Sequence, residues 1–188
     1  MKKSAFFLCA YFICPLLLAL FTPCFSLALN CSTIYDFENK GELSGLYYQC
    51  HTWYELDSEH ATSGAKSLRV EMYPPGNYPG LRLKDLKGPW ENVHQIRLDI
   101  FNPLKRPLPV TVRIDDRDKS PPYADRINHT VLLRPGTNKV ILDLDRLTTS
   151  GTGRHLVPER IVAFMLFVAH PKAPVTIFVD NIRVCKEK

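Results

Sequence analysis

Glycine is scarce in this chain, 9 residues in 188, and none of it forms a phosphate-cradling loop or a GxGxxG dinucleotide fingerprint. Nucleotide-driven chemistry is therefore without a motif. CxxC, HxH and HExxH spacings are also missing, and His51, His60, His94, His129, His155 and His170 are scattered, which leaves zinc without a ligand set. There is no GxSxG, hence no strained turn to present a serine nucleophile. Cys50 and His51 are adjacent, but neighbours in a strand point to opposite faces, so they make a poor nucleophile and base. Cys50 is read instead as a buried thiol or half of a disulfide. Charge of one sign is weak: 24 basic residues stand against 19 acidic, a formal net charge of +5, too mild for a nucleic-acid binder. No internal repeat, low-complexity tract or heptad pattern occurs. The length allows one domain, which excludes a multidomain enzyme, a transporter and a coiled coil.

The N-terminus has a different character from the rest. Lys2 and Lys3 precede an apolar run from Ala5 to Leu20 that continues with few polar breaks to Leu29. Ser26-Leu27-Ala28 puts small residues at the −3 and −1 positions of a cleavage site. Residues 1–28 are expected to be a signal peptide, with an uncleaved signal anchor as the alternative, and residues 29–188 a single domain. The expected location is the periplasm or the exterior. The protein would be held at a membrane if the leader is retained or Cys31 is lipidated. Cys9, Cys14 and Cys24 fall in the leader, leaving Cys31, Cys50 and Cys185. In an oxidising compartment two of these should pair. Cys31 lies just before the first expected strand and Cys185 just after the last, so Cys31–Cys185 is favoured if those strands are antiparallel neighbours, with Cys31–Cys50 next.

Beyond the leader, short β-like runs recur: 33–38, 52–56, 67–73, 80–83, 93–101, 110–115, 126–133, 139–142, 161–168 and 175–184. Ile96, Leu98 and Ile100 alternate with Arg97, Asp99 and Phe101, and Val110, Val112 and Ile114 with Thr111, Arg113 and Asp115. A period of two with one polar face marks a half-buried strand. Pro-Pro-Gly, Arg-Pro-Gly and Gly-Thr-Gly punctuate the runs, and one short helical turn is expected near 144–148. The fold class is all-β, an antiparallel β-sandwich of the jelly-roll kind.

Three stretches carry a resemblance: Tyr35-Asp36-Phe37-Glu38, then Ala61 to Val70 (ATSGAKSLRV), then Ile177 to Val184 (IFVDNIRV). In this order they resemble the galactose-binding-like jelly rolls of bacterial carbohydrate-binding modules. Ile114-Asp115-Asp116, Tyr123, Asp125 to Asn128 and Arg134 to Asn138 are also similar to modules attached to some VanZ-like bacterial membrane proteins. The resemblance implies a structural Ca²⁺ joining the first strand, the Ser63-Gly64 turn and the last strand. Glu38 and Asp180 would supply side chains, Asp36 less so, with carbonyls near Lys40 and Lys66, since a hard cation takes several oxygens. It also implies a bacterial host, in which the sequons at Asn30 and Asn128 would go unused.

Polar residues collect on three expected strands: Arg97 with Asp99, Arg113 with Asp115, and Arg126 with Asn128. If those strands are neighbours, the residues form a charged lattice on one sheet face, suited to sugar hydroxyls or simply to solvent. Tyr73, Tyr78, Trp90 and Tyr123 could rim such a face and stack on sugar rings. In the resembled modules the concave face is the binding face. Asp115-Asp116-Arg117-Asp118 is the densest polar segment, yet its carboxylates alternate in direction and do not face one another as a glycosidase requires. Asp116 and Asp118 are expected to organise the loop around Pro121-Pro122, and Asp125 or Arg126 to contact a partner. Gly151 to His155 reads as a mobile loop, and Trp53 as core. No convergent catalytic set is found. The expectation is an exported, non-catalytic module that recognises a glycan; the alternative is an envelope accessory protein that uses the same fold to dock another protein.

Overall fold

The computed structural model describes residues 29–47, 49–84, 90–117 and 120–187. The leader expected over 1–28, and Asp118 in the polar segment, lie outside the described residues. Ten strands form among them: β1 (Leu29–Tyr35), β2 (Thr52–Asp57), β3 (Ser67–Met72), β4 (Gly80–Arg82), β5 (Val93–Asn102), β6 (Leu108–Asp115), β7 (Ile127–Leu133), β8 (Gly136–Asp143), β9 (Ala163–Phe167) and β10 (Val175–Glu187). Every pairing is antiparallel. One sheet runs β2-β3-β10-β5-β8, with β1 also against β10; the other runs β4-β9-β6-β7. This is the expected all-β jelly-roll sandwich.

Alternation in the sequence becomes the two inner faces. Ile96, Leu98 and Ile100 of β5 and Val110, Val112 and Ile114 of β6 are all at most 1% exposed. They come from opposite sheets and belong to one continuous core with Phe37, Leu68, Val70, Leu81, Ile127, Phe164, Leu166 and Val179. Each such side chain contributes about 1.5–3 kcal/mol by leaving water. β-Branched residues suit this pleated, half-buried setting. The helical turn near 144–148 is a single 3-10 turn, Leu144–Arg146, with Leu144 buried.

β10 organises the larger sheet. Its first half pairs with β3, its second half with β1, and β5 runs along its other edge. A register shift between Asp180 and Arg183, with Asn181 at φ 53°, marks the change of partner. β1 starts before the expected Thr33 because Leu29 finds Glu187 across the ladder, and it stops at Tyr35 because Phe37 at φ 55° turns the chain. Cys31 faces Cys185 in this ladder and the two are joined, tying both ends of the domain across 154 residues of sequence.

Three expectations fail at this level. Cys50 is a free, exposed thiol, because it sits in the turn before β2 rather than on a pleat. Trp53 is 60% exposed: Thr52 and Tyr54 take the inward pleat of β2 and leave Trp53 outside. Trp90 does the reverse, joining the core at 7% exposure instead of rimming a sheet face.

Candidate functional site on the four-stranded sheet

The three polar strands of the sequence do not share a face. β5 lies in the larger sheet and β6 and β7 in the smaller one, so Arg97 and Asp99 are separated from the other four residues by the core. What remains is a compact group on the outer face of β4-β9-β6-β7. The ladders place Arg82, Met165, Arg113 and Asn128 in one row across the four strands. Gly80, Phe167, Thr111 and Thr130 form the next row. Leu81, Phe164, Leu166, Val112, Ile114 and Ile127, on the alternate pleats, are buried beneath. Gly80 permits the close approach of β4 to β9, since a Cβ there would strike the Leu166 carbonyl.

Over these rows lies a cavity of about 110 Å³ lined by Tyr78, Arg113, Tyr123, Arg126, Asn128, Met165 and Phe167. Five of the residues expected from sequence line it, Tyr78, Arg113, Tyr123, Arg126 and Asn128, and Asp115 holds one of them in place. Arg113 donates from Nε and Nη2 to the two Asp115 oxygens at 2.9 and 2.5 Å, a two-point bond that fixes the guanidinium plane. Arg126 donates from Nε to the Pro121 carbonyl at 2.7 Å. Asn128 donates from Nδ2 to Ser150 Oγ at 3.0 Å. Tyr78 packs edge-on against Phe167 with ring centres 5.3 Å apart, and His170 lies tilted against Tyr78 at 5.1 Å. Tyr123 stands 68% exposed on a 3-10 turn, Tyr123–Asp125. Planar polar groups and aromatic rings thus converge on one spot.

The segment after β8 holds this turn in position, contrary to the mobile loop expected over Gly151–His155. Gly151 and Thr152 donate their N–H groups to the Ala124 carbonyl at 2.9 and 3.1 Å, and Ser150 N–H to the Arg126 carbonyl at 2.8 Å. Arg154 grips Asp116 with both Nη atoms at 2.6 and 2.7 Å and Asp125 with Nε at 3.1 Å. Arg117 reaches the other Asp125 oxygen at 3.1 Å. Burial pushes the Asp116 carboxyl up, but the Arg154 bonds, the Val157 N–H and the Arg154 charge outweigh it and hold it below its ordinary value. Arg154 is correspondingly raised, chiefly by its bond to Asp116. Asp116 bonds the segment 154–157, not the loop around Pro121-Pro122 that it was expected to organise. Asp125 is buried in the clamp and is not displayed to a partner.

The remaining expected residues sit elsewhere. Arg97 bonds Gln95 on its own strand at 3.0 and 2.8 Å. Asp99, 4% exposed, accepts from Thr62 Oγ1 at 2.8 Å and Asn181 Nδ2 at 3.2 Å. Tyr73 follows β3 in the larger sheet and donates its hydroxyl to Glu71.

The segments expected to hold Ca²⁺ do meet, but through N–H groups. Glu38 accepts from the Ala65 and Lys66 amides, both at 2.8 Å, and Lys66 Nζ bonds the Glu38 carbonyl at 3.0 Å. Asp180 accepts from Thr62 N, Thr62 Oγ1, Ser63 N and Asn181 N at 2.6–2.9 Å. Gly64, at φ 64°, presses so closely on Glu38 that a Cβ would collide with the carboxylate. Lys40 is exposed on the 3-10 turn Lys40–Gly45. No cluster of three His, Cys, Asp or Glu side chains suited to a metal occurs among the described residues. An ion at these carboxylates would compete with donors already bonded to one Glu38 oxygen and to both Asp180 oxygens.

Sequence reasoning missed Arg82, Tyr47, Met165, Phe167 and Arg154. Arg82 sits 4.8 Å from the centre of the Tyr47 ring, with Lys84 at 5.6 Å from the same ring. A signal for Arg82 existed, as the polar residue between Leu81 and Leu83. Met165 and Phe167 gave none, because β9 is apolar on both pleats and its outer face cannot be read from pattern.

No protein-family description matches the chain, and no curated protein matches it significantly in sequence. Solved structures do match in fold. A family 11 carbohydrate-binding module from Clostridium thermocellum, in complex with a β-1,3-1,4-mixed-linked tetrasaccharide, superposes at a TM-score of 0.64 and 16% identity over 84% of this chain and 96% of its own. The xylan-binding family 22 module from a Paenibacillus barcinonensis protein gives 0.56 and 16% over 82% and 92%. An exo-β-agarase gives 0.66 and 15% over 83% of this chain, which spans only 25% of the agarase's length. The chain therefore has the jelly-roll fold of carbohydrate-binding modules.

Proposed function

We propose that this protein is an exported, non-catalytic module that binds a glycan on the outer face of β4-β9-β6-β7. The observation that carries the reading is the cavity in which Tyr78, Phe167 and the exposed Tyr123 converge with Arg113, Arg126 and Asn128. Aromatic rings offer flat apolar surface to the C–H faces of a sugar, while guanidinium and amide groups meet its hydroxyls with paired hydrogen bonds. The fold shared with modules that hold a mixed-linked tetrasaccharide and xylan supports it. The non-catalytic reading rests on the same lining: it holds no carboxylate pair facing across a cleft, and Asp115 beside it is locked by Arg113. Export rests on the Lys2-Lys3 and apolar leader pattern and is consistent with the Cys31–Cys185 bridge. The module would hold a polysaccharide at the cell envelope, anchored there if the leader is retained; lipidation of Cys31 is ruled out wherever its sulfur is in the bridge to Cys185.

Affinity electrophoresis through gels carrying single polysaccharides tests this directly. The chain should be retarded by at least one of them, and Tyr123→Ala, at an exposed position that leaves folding intact, should migrate freely in that gel. Equal retardation of both proteins would place binding elsewhere, and no retardation in any gel would contradict glycan binding.

A further inference from the structure

We infer that the glycan is acidic, carrying carboxylate or sulfate groups that seat on Arg126 and Arg82; this rests on the glycan-binding reading above. Most arginines held against the sheets have an acidic partner: Arg69 has Glu71, Arg113 has Asp115, Arg154 has Asp116 and Asp125, and Arg183 lies 3.6 Å from Asp99. Three lack one among the described residues: Arg97, which bonds Gln95 in the larger sheet, and Arg126 and Arg82, which lie on the candidate face. Arg126 is half-buried, lines the cavity, and makes one hydrogen bond, from Nε to a neutral carbonyl. It has no carboxylate partner among the described residues. Both of its Nη groups are therefore available to a ligand. Arg82 is half-buried against Tyr47, and its Nε is fully covered yet has no hydrogen-bond partner among the described residues.

A cation taken part-way out of water without a counter-ion carries an uncompensated desolvation cost, and an arriving anion removes it. The guanidinium fork is also the group that matches carboxylate and sulfate-like oxygens two at a time. Geometry lets more than one station act together. Arg82 and Arg113 share a row two strands apart, about 10 Å. Arg126 lies just before Ile127, beyond Asp115. Of the three arginines, only Arg113 has a carboxylate partner among the described residues, Asp115. A chain with acidic groups recurring along it can bridge these stations while its rings rest on Tyr78, Phe167 and Tyr123. A neutral sugar would leave both arginines without a charge partner.

Calorimetric titration of the full chain with three size-matched oligosaccharides tests this: a neutral β-glucan, an oligogalacturonate and a sulfated galactan. At least one acidic ligand should bind roughly tenfold to a hundredfold more tightly than the neutral one, with affinity falling as salt rises. The tighter of the two acidic ligands identifies the anion. Arg126→Gln and Arg82→Gln should each erase most of that preference while the melting temperature stays close to that of the parent. If the neutral glucan binds as well as the acidic ligands and is indifferent to salt, the acidic inference falls and glycan binding stands. Salt-sensitive binding unchanged in both variants is general charge attraction and also overturns it. If none of the three binds, the glycan reading falls with it.

Discussion

Removing Arg154 should unfasten the loop that presents the site, and its cost follows from the geometry. The Asp116 side chain is 1% exposed and takes two bonds from Arg154, whose own side chain is 26% exposed. Deleting one partner of a buried pair costs about 3–5 kcal/mol, because the other charge is left behind. The partial exposure of Arg154 and the surviving Val157 N–H bond to Asp116 favour the low end, about 3 kcal/mol. For a domain of this size that is a fall of roughly 6–12 °C in Tm for Arg154→Ala, read by calorimetry. Pairing it with Asp116→Asn should recover much of the loss, and the double-mutant cycle isolates the interaction. The sign with pH is also fixed. The Asp116 carboxyl lies below its ordinary value when folded, so its stabilisation is present above the unfolded value near 3.9. It is lost as pH falls through the lower, folded value. The gap between parent and variant should hold near neutrality and close in strong acid. A drop under about 2 °C at neutral pH, less than 1 kcal/mol, would refute the clamp, as would a gap undiminished in acid.

Three further outcomes are expected. Replacing Cys31 and Cys185 together by Ala, or reducing the bridge, should cost about 2–5 kcal/mol, since the bond closes a loop spanning nearly the whole domain; an unchanged Tm would mean that β1 docks as well without it. Adding Ca²⁺ or a chelator should leave Tm unmoved, because both Asp180 oxygens and one Glu38 oxygen already accept from N–H donors; a Ca²⁺-dependent rise would show that the ion binds in spite of them. His94 is held above its ordinary value chiefly by its bond to Asp145 at 2.8 Å, with Glu187 3.7 Å away. Its contribution to stability is present below about pH 6.5 and is lost as pH rises through the folded value. His94→Gln should flatten that slope, and an NMR titration placing His94 at or below its ordinary value would contradict the pairing.

How much of this was written in the sequence depends on the strand. β5 and β6 were legible because a strict alternation of aliphatic and polar residues leaves one solution for the inner face. The bridge was legible because Cys31 and Cys185 flank the first and last strands, and those strands pair. Sheet membership was not legible: alternation says which face of a strand is polar, not which sheet the strand joins. Arg97 and Asp99 were therefore grouped with Arg113 and Asn128 although the core divides them. Trp53 and Trp90 exchanged their expected places for a related reason, since an aromatic residue satisfies either a core or a surface by pattern alone. Arg154 was hidden by its surroundings. A glycine-rich stretch looks loose until long-range partners such as Asp116 and Asp125 are seen to hold it. The calcium expectation came from the order of three motifs, which do converge; main-chain N–H groups, the Thr62 hydroxyl and Lys66 Nζ link them, and sequence cannot show which way a peptide points.

The site joins these strands of reasoning. Antiparallel register brings Met165, Arg113 and Asn128 into one row, the Arg154 clamp fixes the turn bearing Tyr123, and Arg126 lines the cavity with no carboxylate partner among the described residues. The most direct test is an amide chemical-shift map of the isotope-labelled chain titrated with the oligosaccharide that binds best. Shifts concentrated at Tyr78, Arg113, Tyr123, Arg126, Asn128, Met165 and Phe167 are predicted. Shifts concentrated on the other sheet, around Trp53 and Tyr73, would contradict the account.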